Sequence, residues 1–196
     1  MTSVLLTPAA TPPAAPARLA SAPHYAPLVP CDDAQFHLLV VQRHTCDAVA
    51  PFIARLAQRS APSRVLSMER AMPLAIDSTF CTREDDLATE LIDTLAHCSP
   101  GTRLYLAGDE AFIWRMQRLA RAAGVDREEV SATAIGALRT VYCVHCAQAH
   151  DYGADDEVTC KQCGVRLAVR GHFSERLGAW LGVCADADHP YAEVRV

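Results

Sequence analysis

Short apolar runs alternate with amphipathic stretches from residue 36 to residue 124 of this chain. Residues Phe36–Val41 form a nearly continuous apolar run, which is typical of a strand buried on both faces of a parallel sheet. Residues 64–67 and 103–107 have the character of two further strands. Because amphipathic stretches separate these runs, the pattern predicts right-handed crossovers and an α/β fold with a parallel sheet.

Three helices are predicted between and after these strands. The first is expected to have Pro51 at its first position and a buried face made by Phe52, Ile53, Leu56 and Ala57. The second follows capping and acidic residues at 82–86 and is indicated by the spacing of Leu87, Leu91 and Leu95. The third begins after Asp109 and is expected to end at Gly124. Its predicted buried stripe comprises Phe112, Met116, Leu119 and Ala123.

Composition and hydrophobic pattern divide the chain into three regions. Residues 1–30 hold seven of the twelve prolines, so we expect a flexible arm or an extended strap there. Residues 31–137 contain the strand–helix pattern and are predicted to form a Rossmann-like domain. Residues 138–196, where short β-like pieces alternate with cysteine pairs, are predicted to form a small zinc ribbon followed by a short helix. Ser174 is the expected cap of that helix, with Phe173, Leu177, Trp180 and Leu181 available for packing.

Two C-x-x-C pairs, thirteen residues apart, are the strongest chemical signal in the sequence. Each pair on a tight turn can direct two sulfur atoms at one point, and two such turns complete a tetrahedral site. The predicted metal ligands are Cys143, Cys146, Cys160 and Cys163. Gly164 follows the last of them, where a turn of this kind favours a residue that tolerates positive φ.

The sequence favours zinc in this site and leaves iron as the alternative. Thiolate sites with four sulfurs suit both metals, but a closed four-cysteine zinc site is a standard structural centre with no open position for catalysis. His145 lies inside the first pair and is an alternative ligand, although four cysteines already complete the coordination. The other five cysteines lack metal spacing and are predicted to be ordinary thiols: Cys31, Cys46, Cys81, Cys98 and Cys184.

Charge and cysteine content restrict the class of partner and the compartment. The net charge of −5 disfavours nucleic acid as a partner, because the chain offers no excess of positive charge to phosphates. No apolar run approaches the roughly 20 residues that span a bilayer, so no membrane association is expected. The first six residues lack a secretory pattern, and nine cysteines cannot all pair within one chain. Reduced thiols in the cytoplasm are therefore predicted.

Two stretches of the predicted α/β domain resemble the nucleotide-binding lobe of ferredoxin–NADP⁺ reductase-type enzymes. Residues 104–112 are similar to a late strand and helix of that lobe, and residues 36–55 to its first strand, turn and helix. The glycine-rich phosphate turn of that family is replaced here by residues 44–48, His-Thr-Cys-Asp-Ala. Side chains there obstruct a pyrophosphate and Asp47 would repel it, so the lobe is expected to be degenerate and to have lost nucleotide binding.

Arginines recur every third residue along the third predicted helix, at Arg115, Arg118 and Arg121. One interpretation is a stripe that docks an acidic partner. The other is a solvated helix face, which is the commoner explanation of such a run.

Residues 169–183 and the cysteine pairs together resemble the C-terminal module of the DmmA-type subunit of dimethylamine monooxygenase. The resemblance covers about residues 138–190, and within it the segment His172-Phe173-Ser174 and the following Arg176-Leu177 are the most distinctive. It implies membership of a multicomponent, NADPH-dependent enzyme that uses O₂ to convert dimethylamine to methylamine and formaldehyde.

By the same resemblance, this chain is an accessory subunit for assembly or electron-transfer support and is not itself the catalytic chain. Haem, FMN and iron–sulfur centres are then expected in partner subunits, a haem oxygenase subunit and a flavin/iron–sulfur reductase subunit. Two alternatives remain open from the sequence. One is a stand-alone redox protein that binds a nucleotide or carries iron on its four cysteines. The other is a nucleic-acid-binding ribbon, which the acidic charge disfavours.

Overall fold

The computed structural model describes residues 22–69 and 76–188, and these residues form two five-stranded sheets joined by short connections. The first sheet is entirely parallel, with strand order β3-β2-β1-β4-β5. Its strands are β1 (Phe36–Val41), β2 (Ser63–Ser67), β3 (Asp77–Phe80), β4 (Thr102–Gly108) and β5 (Val130–Ala134). Its helices are α1 (Cys46–Leu56), α2 (Glu84–Ala96) and α3 (Glu110–Ala122). The predicted α/β class with a parallel sheet is confirmed.

The sequence pattern identified the three central strands and missed the two edge strands. Strand β1, in the middle, pairs with β2 on one side and β4 on the other, and its last five residues are buried. Strands β3 and β5 are mostly exposed or half-buried and carry polar residues. Because an edge strand has less apolar area to bury, its sequence lacks the continuous apolar run that marked the centre of the sheet.

Helix α1 begins five residues earlier than predicted. Its first residue is Cys46, and Pro51 lies inside the helix rather than at its first position. A proline removes one backbone hydrogen bond from the helix, the one that the carbonyl group of Asp47 would accept. Pro51 lies on the exposed face, so water can hydrate that carbonyl and the helix continues to Leu56.

Helix α3 follows the predicted boundaries closely. The Asp109 side chain accepts a hydrogen bond of 2.8 Å from the backbone N–H of Phe112, which caps the helix, and Gly124 has a φ of +93° just beyond its end. The predicted stripe is wrong at Ala123, which is exposed because it lies beyond the last helical turn. The apolar residues that the helix buries are Ala111, Phe112, Ile113, Trp114, Met116 and Ala120.

Hydrophobic cores cover both faces of the parallel sheet. Helices α2 and α3 pack over one face around Leu38 and Leu104, and α1 packs over the other around Leu39 and Tyr105. Leu28 joins the second core and is 5% exposed. Residues 22–30 therefore run as an extended segment along the domain, while the rest of the predicted arm lies outside the described residues.

The second sheet carries the cysteine pairs and has the order β7-β6-β10-β9-β8. Its strands are β6 (Arg139–Cys143), β7 (Gln148–Tyr152), β8 (Glu157–Thr159), β9 (Arg166–Ser174) and β10 (Ala179–Cys184). The short helix predicted after Ser174 is wrong. Phe173 and Trp180 are opposite each other across a β9–β10 hairpin, so apolar positions that suggested a helix are a cross-strand pair. Gly178, with a φ of +62°, closes the reversal through its N–H to the carbonyl of Ser174 at 2.8 Å.

Aromatic and charged contacts join the two sheets through α3. The rings of Trp114 and Phe173 lie 4.7 Å apart between centroids, and the indole N–H of Trp180 donates to the carboxylate of Glu110. The indole N–H of Trp114 donates to the hydroxyl of Tyr25 at 2.9 Å. The extended segment, α3 and the hairpin therefore meet in one buried cluster. Among the described residues, no helix combines the length and apolar content needed to cross a bilayer.

Candidate metal centre

The structure brings the four predicted cysteines together. Their sulfur atoms all lie within 4.8 Å of one another. The Sγ–Sγ distance is 3.9 Å between Cys143 and Cys163 and 3.7 Å between Cys146 and Cys160. One cysteine of each pair, Cys143 and Cys160, is buried, and the other is half-buried. The cluster thus lies at the boundary between the small core of the second sheet and solvent.

Two backbone turns of the same design position these sulfur atoms. The N–H of Ala147 donates to the carbonyl of Cys143 at 2.9 Å, and the N–H of Gly164 donates to the carbonyl of Cys160 at 3.0 Å. The residue after each pair adopts positive φ, +58° at Ala147 and +72° at Gly164. The need for positive φ at Gly164 was predicted. Its counterpart at Ala147 gave no sequence signal, because alanine rarely adopts that conformation.

The pKa values of two thiols in the cluster, Cys143 and Cys160, are shifted in opposite directions. Burial raises the pKa of Cys143 to about 12. Burial acts in the same direction on Cys160, but the backbone N–H groups of Cys163 and Gln162 and the neighbouring thiols outweigh it and lower its pKa to about 7. A thiolate therefore forms most readily at Cys160, and backbone dipoles around it favour the charge that a metal ligand carries.

The observed sulfur spacing fits a tetrahedral metal ion. Four sulfurs at about 2.3 Å from a central metal are separated from one another by about 3.8 Å in a regular tetrahedron. The two short Sγ–Sγ distances, 3.7 and 3.9 Å, lie on either side of that value. The four-cysteine group could therefore hold a metal ion, and its all-sulfur donor set suits zinc or iron.

The remaining candidate ligands lie outside the cluster. Among the described residues, the group of ligand atoms close enough to share a metal consists of the four cysteines alone. His145 is exposed and is not part of that group. Cys81 is buried and its thiol pKa is raised by burial and then by Glu90 and Asp86. Three other free cysteines are half-buried, namely Cys31, Cys98 and Cys184. The Cys46 side chain lies outside what the structure describes.

A second place where chemistry is expected is the carboxyl end of the parallel sheet, between β1 and β4. A cavity of about 330 Å³ lies there, and Gln42 and Asp109 are part of its wall. The side-chain amide of Gln42 donates to the carboxylate of Asp109 at 2.8 Å and accepts from the backbone N–H of Asp109 at 2.7 Å. A Cβ on Gly108 would lie 2.7 Å from the Gln42 amide oxygen, so glycine is required there. The N-terminus of α3 is thus occupied by the chain's own carboxylate, where a phosphate would have to compete with it.

The arginine stripe predicted along α3 is divided by the fold. Arg115 is half-buried and pairs with Glu84 of α2, at 2.6 Å, and with Asp151 of β7, at 2.8 Å. Arg118 and Arg121 are exposed. The first arginine therefore serves the contact between the two sheets, and only the other two face solvent.

Two solved structures match part of this chain at low similarity. The ferredoxin reductase of carbazole 1,9a-dioxygenase (FAD apo form) is 14% identical, with a TM-score of 0.39, and the match covers 50% of this chain and 32% of that one. Phthalate dioxygenase reductase is 12% identical, with a TM-score of 0.36, over 62% of this chain and 45% of that one. The chain spans less than half the length of these two reductases.

Sequence comparison identifies the family directly. The model of the dimethylamine monooxygenase subunit DmmA-like N-terminal domain matches residues 17–130, and that of the DmmA-like C-terminal domain matches residues 140–183. The heme-dependent oxidative N-demethylase delta subunit of Ectopseudomonas mendocina (strain ymp) is 42% identical over 176 residues, which cover 89% of this chain and 94% of that protein. This chain belongs to the DmmA-like family of dimethylamine monooxygenase subunits.

Proposed function

We propose that this chain is a non-catalytic subunit of a multicomponent, NADPH-dependent oxidative N-demethylase that converts dimethylamine to methylamine and formaldehyde. The observation that carries the proposal is the 42% identity that extends over 94% of the delta subunit of a heme-dependent oxidative N-demethylase. Its role is to assemble the enzyme and to support electron transfer between the other subunits. Those partners are a haem oxygenase subunit and a flavin/iron–sulfur reductase subunit, which carry the haem, FMN and iron–sulfur centres.

The metal in this proposal is a structural zinc ion held by Cys143, Cys146, Cys160 and Cys163. The spacing of the sulfur atoms supports it, and so does the small size of the core beside them, which has five buried members. A core of that size stabilises a sheet only weakly, and metal binding supplies the missing folding free energy. Because all four ligands come from the protein, no position is left for substrate or water. Thiolate ligands of this kind support a location in the cytoplasm, where thiols stay reduced.

The non-catalytic role has support from the sheet edge as well. In open α/β folds the crevice at the carboxyl ends of the strands binds the ligand. In this chain Gln42 and Asp109 are hydrogen-bonded to each other at that crevice, and the Asp109 carboxylate also caps α3. Nucleotide chemistry is accordingly assigned to a partner subunit.

Co-expression with the other subunits of the host's oxidative N-demethylase tests the subunit assignment. We expect the chain to co-purify with them and NADPH-dependent formaldehyde release from dimethylamine to fall when it is omitted. A chain that never co-purifies, and whose omission leaves the activity unchanged, would overturn the proposal.

Metal analysis of the same untagged protein tests the choice of zinc. We expect one zinc per chain and no visible absorption. Cys160→Ser should lose the metal, whereas Cys98→Ser, a half-buried thiol outside the cluster, should keep it. Stoichiometric iron with a red colour would replace this assignment by the second candidate, a one-electron carrier, because the same sulfur spacing accommodates iron.

A further inference from the structure

Three exposed arginines from two separate elements lie on one side of the molecule. Arg118 and Arg121 are one turn apart on α3, and Arg176 lies in the turn between β9 and β10. The guanidinium of Arg118 donates to the carbonyl of Leu177 at 3.4 Å, so the residue next to Arg176 touches α3. A Cβ at Gly178 would also lie 4.0 Å from Cδ of Arg118. We call Arg118, Arg121 and Arg176 the arginine patch.

Within the described part of the chain, the charges of the arginine patch have no carboxylate partner. Seven arginines of the described residues form ion pairs with carboxylates, namely Arg59, Arg64, Arg83, Arg115, Arg127, Arg139 and Arg166. No member of the arginine patch pairs with a carboxylate among the residues that the structure describes. Glu175, the acidic residue beside Arg176 in the turn, is paired instead with Arg127 at 2.8 Å.

The arginine patch is opposite in sign to the chain as a whole, which has a net charge of −5. Like charges three residues apart on a helix repel each other, which lowers the stability of the isolated protein slightly. A complementary surface removes that repulsion. The planar guanidinium group offers paired N–H donors that match a carboxylate, and arginine is enriched at protein interfaces whereas lysine is depleted.

We infer that the arginine patch docks a carboxylate-rich surface on another subunit of the same enzyme. The inference rests on the proposed function, since it takes the partner from the assembly proposed above. A protein surface is favoured over nucleic acid. A long phosphate polymer would extend beyond the patch and be repelled by the overall negative charge of the chain, whereas a compact acidic protein surface would contact the patch alone. The hairpin that contributes Arg176 is held on α3 by the Trp114–Phe173 contact, so the patch is preformed before the partner binds.

Charge reversal within the assembled enzyme tests this docking. The full chain carrying Arg121→Glu and Arg176→Glu is titrated against the co-expressed remaining subunits at low and high salt, with affinity as the readout. We expect about a tenfold or greater loss of affinity at low salt and a flatter salt dependence, because exposed interface charges act mainly through long-range attraction.

The matched control is the double variant Arg43→Glu and Arg170→Glu. Both residues are exposed and have no carboxylate partner among the described residues, and the net charge changes by the same amount. Its affinity is expected to stay within about twofold of the unmodified chain. Melting temperature and metal content establish that each variant is folded.

The outcomes separate the two proposals. If the unmodified chain fails to bind the other subunits, the proposed function fails and the docking inference fails with it. If the unmodified chain binds and the patch variant binds equally well, only the docking inference is overturned. Loss of binding in both double variants, or binding that nuclease treatment abolishes, would also overturn it, in the second case in favour of nucleic acid.

Discussion

Ala147 and Gly164 occupy equivalent positions in the two metal-binding turns, but only one of them suits its backbone. Both have positive φ, and both donate an N–H to the carbonyl of the first cysteine of their pair. A left-handed conformation costs a residue with a Cβ about 1–2 kcal/mol relative to its ordinary conformations, and glycine avoids that cost. The turn at Ala147 is therefore strained, and the proposed metal ion would hold it in place.

We expect Ala147→Gly to stabilise the folded protein by about 0.5–1 kcal/mol, since part of the relief is offset by the greater freedom of glycine in the unfolded chain. The reverse change, Gly164→Ala, serves as its counterpart and should destabilise by about 1 kcal/mol. Chemical denaturation of the metal-loaded protein measures both. Equal effects of the two substitutions in the same direction would contradict this explanation.

His37 is a second residue whose burial has a chemical consequence. It lies within the apolar run of β1 and is 1% exposed, with its Nδ1 atom 3.1 Å from the hydroxyl of Tyr105. Burial, and then the positive charge of Arg59, lower its pKa below the usual 6.5. The ring therefore remains neutral in the folded protein at pH values where it is protonated in the unfolded chain.

This difference predicts a loss of stability in acid. Below pH 6.5 the unfolded state binds more protons at His37 than the folded state does, so the free energy of unfolding decreases as the pH falls through and below that value. In His37→Gln the decrease should be smaller. Denaturation curves over this pH range measure it, and protonation of the cysteine ligands, common to both proteins, cancels in the comparison. Parallel curves would contradict the assignment.

At the scale of elements, α3 is the common contact of the two sheets. Its side chains pack on the parallel sheet, and Trp114 meets the β9–β10 hairpin on the other side. Arg115 links three elements, because it pairs with α2 through Glu84 and with β7 through Asp151. The Asp151 carboxylate also accepts a hydrogen bond of 2.8 Å from Thr140 of β6. These contacts tie α3 to both strands of the first metal-binding turn.

Removal of the Arg115 side chain leaves Glu84 and Asp151 close together without a cation between them. Arg115→Ala should therefore lower the free energy of unfolding by about 1–2 kcal/mol, a value reduced for the solvent screening of partly exposed groups. Arg121→Ala is the matched control on the same helix and should change it by less than about 0.5 kcal/mol. Thermal or chemical denaturation measures the difference, and two similar values would show that the ion pairs contribute nothing.

At the scale of the whole molecule, the two sheets differ in what holds them together. The parallel sheet has a core on each face, with thirteen and ten buried members. Among the described residues, the cluster beside the cysteines has five buried members, two of which are Cys143 and Cys160, and Phe173 and Ala179 of the second sheet are buried outside it. Apolar burial therefore stabilises the parallel sheet more than the second sheet, and in the proposed function a structural zinc ion stabilises the second.

Removal of the metal should accordingly affect the second sheet first. Treatment with a chelator is expected to abolish amide-hydrogen protection in β6 to β10 while β1, β2 and β4 retain theirs. Hydrogen exchange followed by mass spectrometry resolves the two regions, and re-addition of zinc should restore protection. Simultaneous loss of protection in both sheets would show that the parallel sheet does not fold independently of the metal.

The sequence by itself determined the central strands, the three helices and the four cysteines. Each of these rests on local spacing: continuous apolar runs for β1 and β4, leucines at every fourth residue for α2, and two C-x-x-C pairs for the cluster. The family resemblance read from the sequence is also confirmed, because the motif that carries it lies within the continuous stretch 140–183 that the family model matches.

Only the tertiary structure decided how those parts meet. The segment after Ser174, predicted to be a helix, is a hairpin, because Phe173 and Trp180 pack as a cross-strand pair and the ring of Phe173 contacts Trp114. The predicted arginine stripe has two different environments in the fold. Arg115 is in an ion-pair network between the sheets, whereas the other two arginines are exposed beside Arg176. Periodicity reflects how a residue relates to its near neighbours, whereas these outcomes depend on partners that lie 31 to 59 residues away along the chain.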